Sequence, residues 1–311
     1  MTSGRHALHH LAPDGAAALE QVAAAAWTAI ADRDLAELTS RVCGEVCGVR
    51  PLARPAGAGP GRWSGEPAGD WRAIDGLTAT DRLRLAFAEQ FSLDVSACTD
   101  RQREELVREL GGEVGPWAAA VFALDFLPRA NAALVALFGP DHDGDPVVPA
   151  SLTSGTGIWE ALDAVIRLVP RLGALDPVTS ELVRLRGARQ HRCRLCSSLR
   201  SRPALLAGAD DRSFAAVDDY RHSDLDDEQK AALAFTDAML WTPGRIDRSV
   251  VDALTADTSP EQRVELVLDV TRNALNKVAV ALGADRPHVD EGIEIYDVGE
   301  DGELVYGLTL E

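Results

Sequence analysis

Residues 181–202 read ELVRLRGARQHRCRLCSSLRSR, and within them Cys193 and Cys196 stand three positions apart. This is the one place in the chain where reactive side chains have a spacing that chemistry demands. Two thiols so placed can close a small disulfide loop or share a metal ion. Seven arginines, Arg184, Arg186, Arg189, Arg192, Arg194, Arg200 and Arg202, crowd the stretch, and no acid occurs from Leu182 to Ala209, although the whole chain carries a formal net charge of -18. A local positive field favours thiolate over thiol. The plainer alternative is an arginine-rich solvated helix with two incidental cysteines.

Composition bounds the rest. A chain of 311 residues suffices for one large or two ordinary domains, and two are expected. Hydrophobic content of 46% with 26% charged residues is ordinary for a soluble globular protein, while only 5% aromatics and abundant alanine favour packed helices. The polar start MTSGRHALHH and the lack of an eighteen-residue apolar run lead us to expect neither signal peptide nor membrane span, with the cytoplasm as default compartment. Five cysteines, odd in number and unevenly spread, do not resemble a secreted disulfide framework, so the close pair is expected to be redox-active or metal-binding. The acidic balance argues against nucleic-acid or membrane partners.

Helical periodicity is read at 14–30 with Asp14 as N-cap, 35–46, 80–93, 100–110 and 115–138. Glycine and proline make residues 54–70 a long irregular loop, either plain or a lid, and residues 139–151 an interdomain linker. A shift of 148 residues superposes Leu85-Ala86-Phe87-Ala88-Glu89 on Leu233-Ala234-Phe235-Thr236-Asp237, Asp125 on Asn273 and Arg129 on Lys277, which suggests duplication. In the second copy Asp176-Pro177 starts a helix, Ser223 or Asp224 caps the helix carrying Phe235 and Met239, and Ser259 to Gln262 forms a capping box. Residues 293–306 alternate like a β-hairpin. The expected fold is therefore all-α: a flexible N-terminus (1–13), a degenerate helical repeat (14–138), the linker, a second repeat carrying the cysteine pair (152–288) and a hairpin tail (289–311). The first repeat holds Cys43 and Cys47 at a spacing of four instead of three and is read as structural.

Glu181, Cys193 twelve residues on, Cys196, and the helical segments 226–240 and 260–282 together resemble the alkylhydroperoxidase D and carboxymuconolactone decarboxylase superfamily, over most of residues 15–285. Members are all-helical and typically oligomeric. The resemblance implies two tandem repeats of that fold, with Glu181 as relay acid, Cys196 as attacking thiolate and Cys193 as its resolving partner. The peroxidase branch has a histidine before its second cysteine and another four residues after it; here those positions hold Leu195 and Arg200. An arginine stabilises a thiolate but cannot accept a proton, so disulfide chemistry survives the change better than proton shuttling. His191, just ahead of Cys193, is a substitute base or a helix C-cap.

The leading expectation is a thiol–disulfide oxidoreductase or peroxidase-like enzyme acting on a peroxide or disulfide, with Arg194 and Arg200 stabilising the thiolate or binding an anionic substrate, no cofactor, and a dithiol protein as reductant. The alternatives are cofactor-free acid–base chemistry on a carboxylated small molecule, with Glu181 or His191 moving the proton, and a non-catalytic helical protein using the pair as a redox sensor. Cys193, Cys196 and His191 make at most a poor three-ligand zinc site, so no metal is expected. A homo-oligomer is expected from the resemblance.

Overall fold

Strong local start signals set the helix order. In the first half of the chain these are α1 (Gly4–Leu11), α2 (Pro13–Ala29), α3 (Arg33–Cys47), α4 (Ala79–Asp94), α5 (Asp100–Leu110) and α6 (Val114–Phe138). In the second half they are α7 (Ile158–Leu168), α8 (Pro177–Gln190), α9 (Arg194–Ser198), α10 (Arg202–Leu206), α11 (Asp211–Ala216), α12 (Asp227–Trp241), α13 (Arg248–Asp257), α14 (Pro260–Asn273) and α15 (Asn276–Leu282). Among the described residues there are three short strands, β1 (Leu199–Ser201), β2 (Glu294–Val298) and β3 (Leu304–Leu308). The structure is a computed structural model that describes residues 3–55, 59–141, 145–149 and 155–310. It is mainly helical, with one small sheet built mostly from the C-terminal end.

Several starts are capping boxes, in which a side chain and a backbone N–H are satisfied reciprocally. Thr78, Thr99, Asp226 and Ser259 each make one. The cap of α12 is thus Asp226, not Ser223 or Asp224, because Gln229 at the third helical position answers Asp226, whereas the Ser223 hydroxyl donates to the Tyr220 carbonyl. At α2, Pro13 takes the first helical position, where a missing N–H costs nothing, so Ala12 is the cap and Asp14 sits in the first turn. The expected single helix over 260–282 breaks after Asn273 into α14 and α15.

Residues 3–11 depart from the flexible N-terminus read from their polarity. Ser3 caps α1, and Leu8 is fully buried where α1 packs on α6 and α14. Burying one leucine contributes roughly 1.5–3 kcal/mol, which offsets part of the cost of ordering a short helix. His6, His9 and His10 therefore lie on a packed helix, with His9 Nε2 3.3 Å from Glu20. Of the expected linker, residues 142–144, 150 and 151 lie outside the described residues; Val147 is fully buried, and its N–H and C=O both pair with the Asn131 side chain at 2.7 and 3.2 Å. Residues 56–58 of the irregular loop also lie outside them, and the described part lays Trp63 and Trp71 on the side of α3.

The first and second halves share one core. Residues 100–138, α5 and α6, offer one stretch long and apolar enough to cross a membrane, with mean hydropathy 1.5, but 78% of that window is buried within the fold. Where α6 meets α15, Asp125 Oδ1 accepts from Arg129 Nε at 3.0 Å and Nη2 at 2.8 Å, and Asp125 Oδ2 accepts from Lys277 Nζ. Arg129 also donates to the carbonyls of Ser92, at 2.8 Å, and Leu240. All three charges are buried. The Cys47 thiol donates to the same carboxylate at 3.3 Å.

Candidate functional site around Cys193 and Cys196

The geometry of the pair begins at the end of α8. His191 is its C-cap, Arg192 adopts the left-handed conformation (φ 53°), and the Cys193 N–H reaches back to the Ala188 carbonyl at 2.9 Å. This is the Schellman stop, which glycine normally supplies because a Cβ is strained there. Arg192 is the single non-glycine residue at positive φ among the described residues. We expect Arg192→Gly to stabilise the protein by about 1 kcal/mol, read as a rise in urea midpoint, since it removes that strain; an unchanged or lowered midpoint would show that the arginine side chain compensates.

The reversal makes Cys193 the N-cap of α9, with its sulfur accepting from the Cys196 N–H at 3.2 Å, and the two cysteines form a disulfide across a Cα–Cα distance of 5.3 Å. The partners are not equivalent. Cys193 is 1% exposed, packed in the core, whereas Cys196 lines a cavity of about 300 Å³ with Leu195, Leu199, Tyr296, Leu304 and Tyr306. The tail thus closes over the pair: β1, immediately after α9, runs parallel to β2, and β2 pairs antiparallel with β3. The hairpin expected at 293–306 is present, and β1, from the arginine-rich stretch, gives it a third strand.

Glu181 is 2% exposed. Arg184 grips it through Nε (2.6 Å) and Nη2 (2.7 Å), the Ser201 N–H donates at 3.1 Å, and the Tyr296 hydroxyl donates at 3.1 Å. Both carboxylate oxygens therefore accept two bonds each, which fills their capacity. Burial and the adjoining Glu181 carboxylate push the Tyr296 phenol well above the usual tyrosine range. Arg184 continues outward to the carbonyls of Cys196 (2.8 Å) and Leu199 (2.9 Å), so this one arginine ties α8 to the middle and the C-terminal end of the disulfide helix. Glu181 and Arg184 are thereby a brace for α9 and β1.

The other residues singled out in the sequence lie around this brace rather than on the sulfurs. His191 Nδ1 pairs with Asn276 Oδ1 at 2.7 Å, and burial, with the Lys277 charge nearby, pushes its pKa down to about 3, so the imidazole is neutral. Arg194 turns to Asp285, at 2.7 Å. Arg200 donates to the carbonyls of Ser197 and Leu199 at 2.9 and 2.7 Å, above the Phe214 ring, and burial with Arg184 nearby lowers its pKa. The local positive field is also largely cancelled. Arg184, Arg186, Arg189, Arg194 and Arg202 pair with Glu181, Asp237, Asp218, Asp285 and Asp297. All but Glu181 lie outside the quoted stretch, which is why the stretch alone looked so basic.

Sequence reasoning missed Tyr296 and Arg272, which share walls of the Cys196 cavity, and Asp285, which holds both Arg194 and the Leu195 N–H. Tyr296 gave a signal only as one residue of the hairpin. Cys43 and Cys47 lie beside the Asp125 network on α3, where burial, reinforced by the Asp125 charge, pushes Cys43 up to about 12 and Cys47 higher still. Such thiols do not ionise near neutrality and are poor nucleophiles. Cys98 is buried, and burial raises it to about 11. Among the described residues no three His, Cys, Asp or Glu side chains converge as metal ligands.

Fold and site define a mainly helical protein with a CxxC disulfide between its core and a tail-covered cavity. No family model and no solved structure matches the chain. It is 45% identical over 224 residues to the uncharacterized protein Rv2313c of Mycobacterium tuberculosis strain H37Rv, and equally to the uncharacterized protein MT2376 of strain CDC 1551, with 71% of this chain and 79% of each relative covered. The chain belongs to the family of these mycobacterial proteins.

Proposed function

We propose that the chain is a thiol–disulfide oxidoreductase in which Cys196 exchanges with a small-molecule or protein disulfide and Cys193 resolves the product. The observation that carries this reading is the asymmetry of the pair, since only Cys196 faces a cavity large enough for a reacting partner. In the reduced protein the Cys196 thiolate attacks one substrate sulfur and expels the other as thiolate. Cys193 then attacks Cys196 in the mixed disulfide, expels the second substrate thiolate and closes the intramolecular bond. Two electrons pass to the substrate, and an external dithiol returns them by attacking the cavity-facing Cys196 sulfur.

A disulfide substrate suits the site better than a peroxide. Expulsion of a thiolate needs no general acid near neutral pH, whereas an alkoxide leaving from a peroxide needs a proton. Among the described residues neither histidine nor carboxylic acid lines the Cys196 cavity, the Tyr296 hydroxyl already donates to Glu181, and Tyr306, whose phenol burial pushes up, is a weak acid. Acid–base catalysis by Glu181 or His191 has less support, because Glu181 has no acceptor site left and an imidazole with a pKa of about 3 is a weak base.

A tandem alkylhydroperoxidase D-like arrangement is part of the same proposal. It is supported by equivalent caps 148 residues apart, Thr78 with Asp226 and Thr99 with Asp247. The test of the chemistry is trapping. Cys193→Ser, reduced and then treated with a small aromatic disulfide, is expected to hold one stoichiometric adduct at Cys196 by intact mass and peptide mapping, while Cys196→Ser yields none at Cys193. Equal labelling of the two single variants, or no labelling of either, would remove the proposed roles.

A further inference from the structure

Behind the wall formed by Arg184, Arg272, Asn273 and Tyr296 lies a second hollow, of about 390 Å³, lined by α8, α14 and the turn ahead of α8. Its floor is acidic. Glu265 and Asp269 stand one turn apart on α14, and both are more than nine-tenths buried. Glu265 accepts from the Ala174 N–H at 2.6 Å and has the Leu175 N–H beside it, but no cation pairs with either carboxylate among the described residues. Asp269 has the Ser180 hydroxyl beside it; burial, despite the Arg272 charge, pushes it up to about 7. Arg272 faces the same hollow, donates Nη1 to Asn273 Oδ1 at 3.0 Å, and forms no ion pair among the described residues.

The two groups are complementary yet unjoined. A carboxylate buried without a cation costs several kcal/mol, and enclosed polar groups left in this way are what ligands complete. A volume of about 390 Å³ falls within the range of about 300–1,000 Å³ usual for small-molecule pockets. Asp269 and Arg272 are three residues apart on one helix, which makes them surface neighbours about 5–6 Å apart at Cβ. Opposite charges at that separation match the two ends of a single amino-acid backbone. Glu181 and Arg184, which also line the hollow, are already spent on each other.

We propose that this hollow binds a small zwitterion of the α-amino-acid class, its ammonium held by Asp269 and Glu265 and its carboxylate by Arg272. The site does not depend on the thiol chemistry, and it is tested apart from it. The probes are the free proteinogenic L-amino acids, followed, for the best of them, by the corresponding amine without the carboxylate and the corresponding acid without the ammonium. At least one amino acid is expected to raise the melting temperature of the full chain and to give a saturable calorimetric isotherm, since a ligand of the folded state stabilises it. Each half-ligand is expected to bind at least about tenfold more weakly, and Asp269→Asn and Arg272→Met each to weaken the amino acid by at least about tenfold. Cys196→Ser is expected to bind it unchanged. Asp269→Asn keeps the side-chain shape, and Arg272→Met reports independently from the other end of the ligand. The proposal is overturned if no amino acid binds at millimolar concentration, if the amine alone binds as tightly as the zwitterion, or if both folded variants retain wild-type affinity.

Discussion

Asp125→Ala is expected to cost about 3–5 kcal/mol of folding stability, measured as a lowered urea midpoint at unchanged slope. The residue is fully enclosed between Arg129 and Lys277, so its removal strands two buried cations that pair with no other acid among the described residues. Burial alone would raise its pKa, but the two cations overcome that and hold the carboxyl below the usual range. The sign of the pH dependence follows. A depressed acid contributes stability that is present above its unfolded value of about 3.9 and is lost as pH falls through its lower folded value. The gap between wild type and Asp125→Ala should therefore be full near neutrality and narrow below about pH 4. A gap under about 1 kcal/mol at pH 7, or one independent of pH down to the acid transition, would mean that the cations find other partners.

This network also marks the limit of reading the chain by register. The 148-residue shift placed Arg129 opposite Lys277, and the fold brings both to one carboxylate. Helix positions were legible because they rest on local signals: Thr99 with Gln102, Ser259 with Gln262, and Asp176 before Pro177 are complete within a few residues. The disulfide pair and the hairpin were legible for the same reason. What could not be read were the long-range partners. Neither the Tyr296 bond to Glu181, across 115 positions, nor the Asp285 bond to Arg194, across 91, leaves a local trace. The arginine-rich stretch illustrates the consequence. Its charge count predicted a strong field at Cys196, and acids supplied by α12, β2 and the loops cancel most of it. The N-terminus failed for a related reason, because the polarity of MTSGRHALHH conceals that Ala7 and Leu8 supply a buried contact.

Arg184→Met should have the second large effect, and it separates the brace from the chemistry. The substitution keeps length and apolar volume but removes the cation that grips Glu181 and the donors that hold the Cys196 and Leu199 carbonyls. Glu181 then remains buried with only Ser201 N–H and Tyr296 to support its charge, and a loss of about 3–5 kcal/mol at pH 7 is expected. Because the pair is buried, added salt should change this loss little, unlike the loss of a surface pair. Adding Glu181→Met to Arg184→Met should recover most of the stability, because replacing both members of a buried pair with apolar groups of similar size is often neutral or favourable. The rescued double variant is the informative protein. It has a folded core but lacks the Arg184 ties from α8 to the disulfide helix, so if the brace positions Cys196, its rate of thiol exchange should differ from wild type even though its urea midpoint does not. Full recovery of both stability and exchange rate would reduce Glu181 and Arg184 to packing alone, and failure of the double variant to regain stability would show that the ion pair itself is required by the fold.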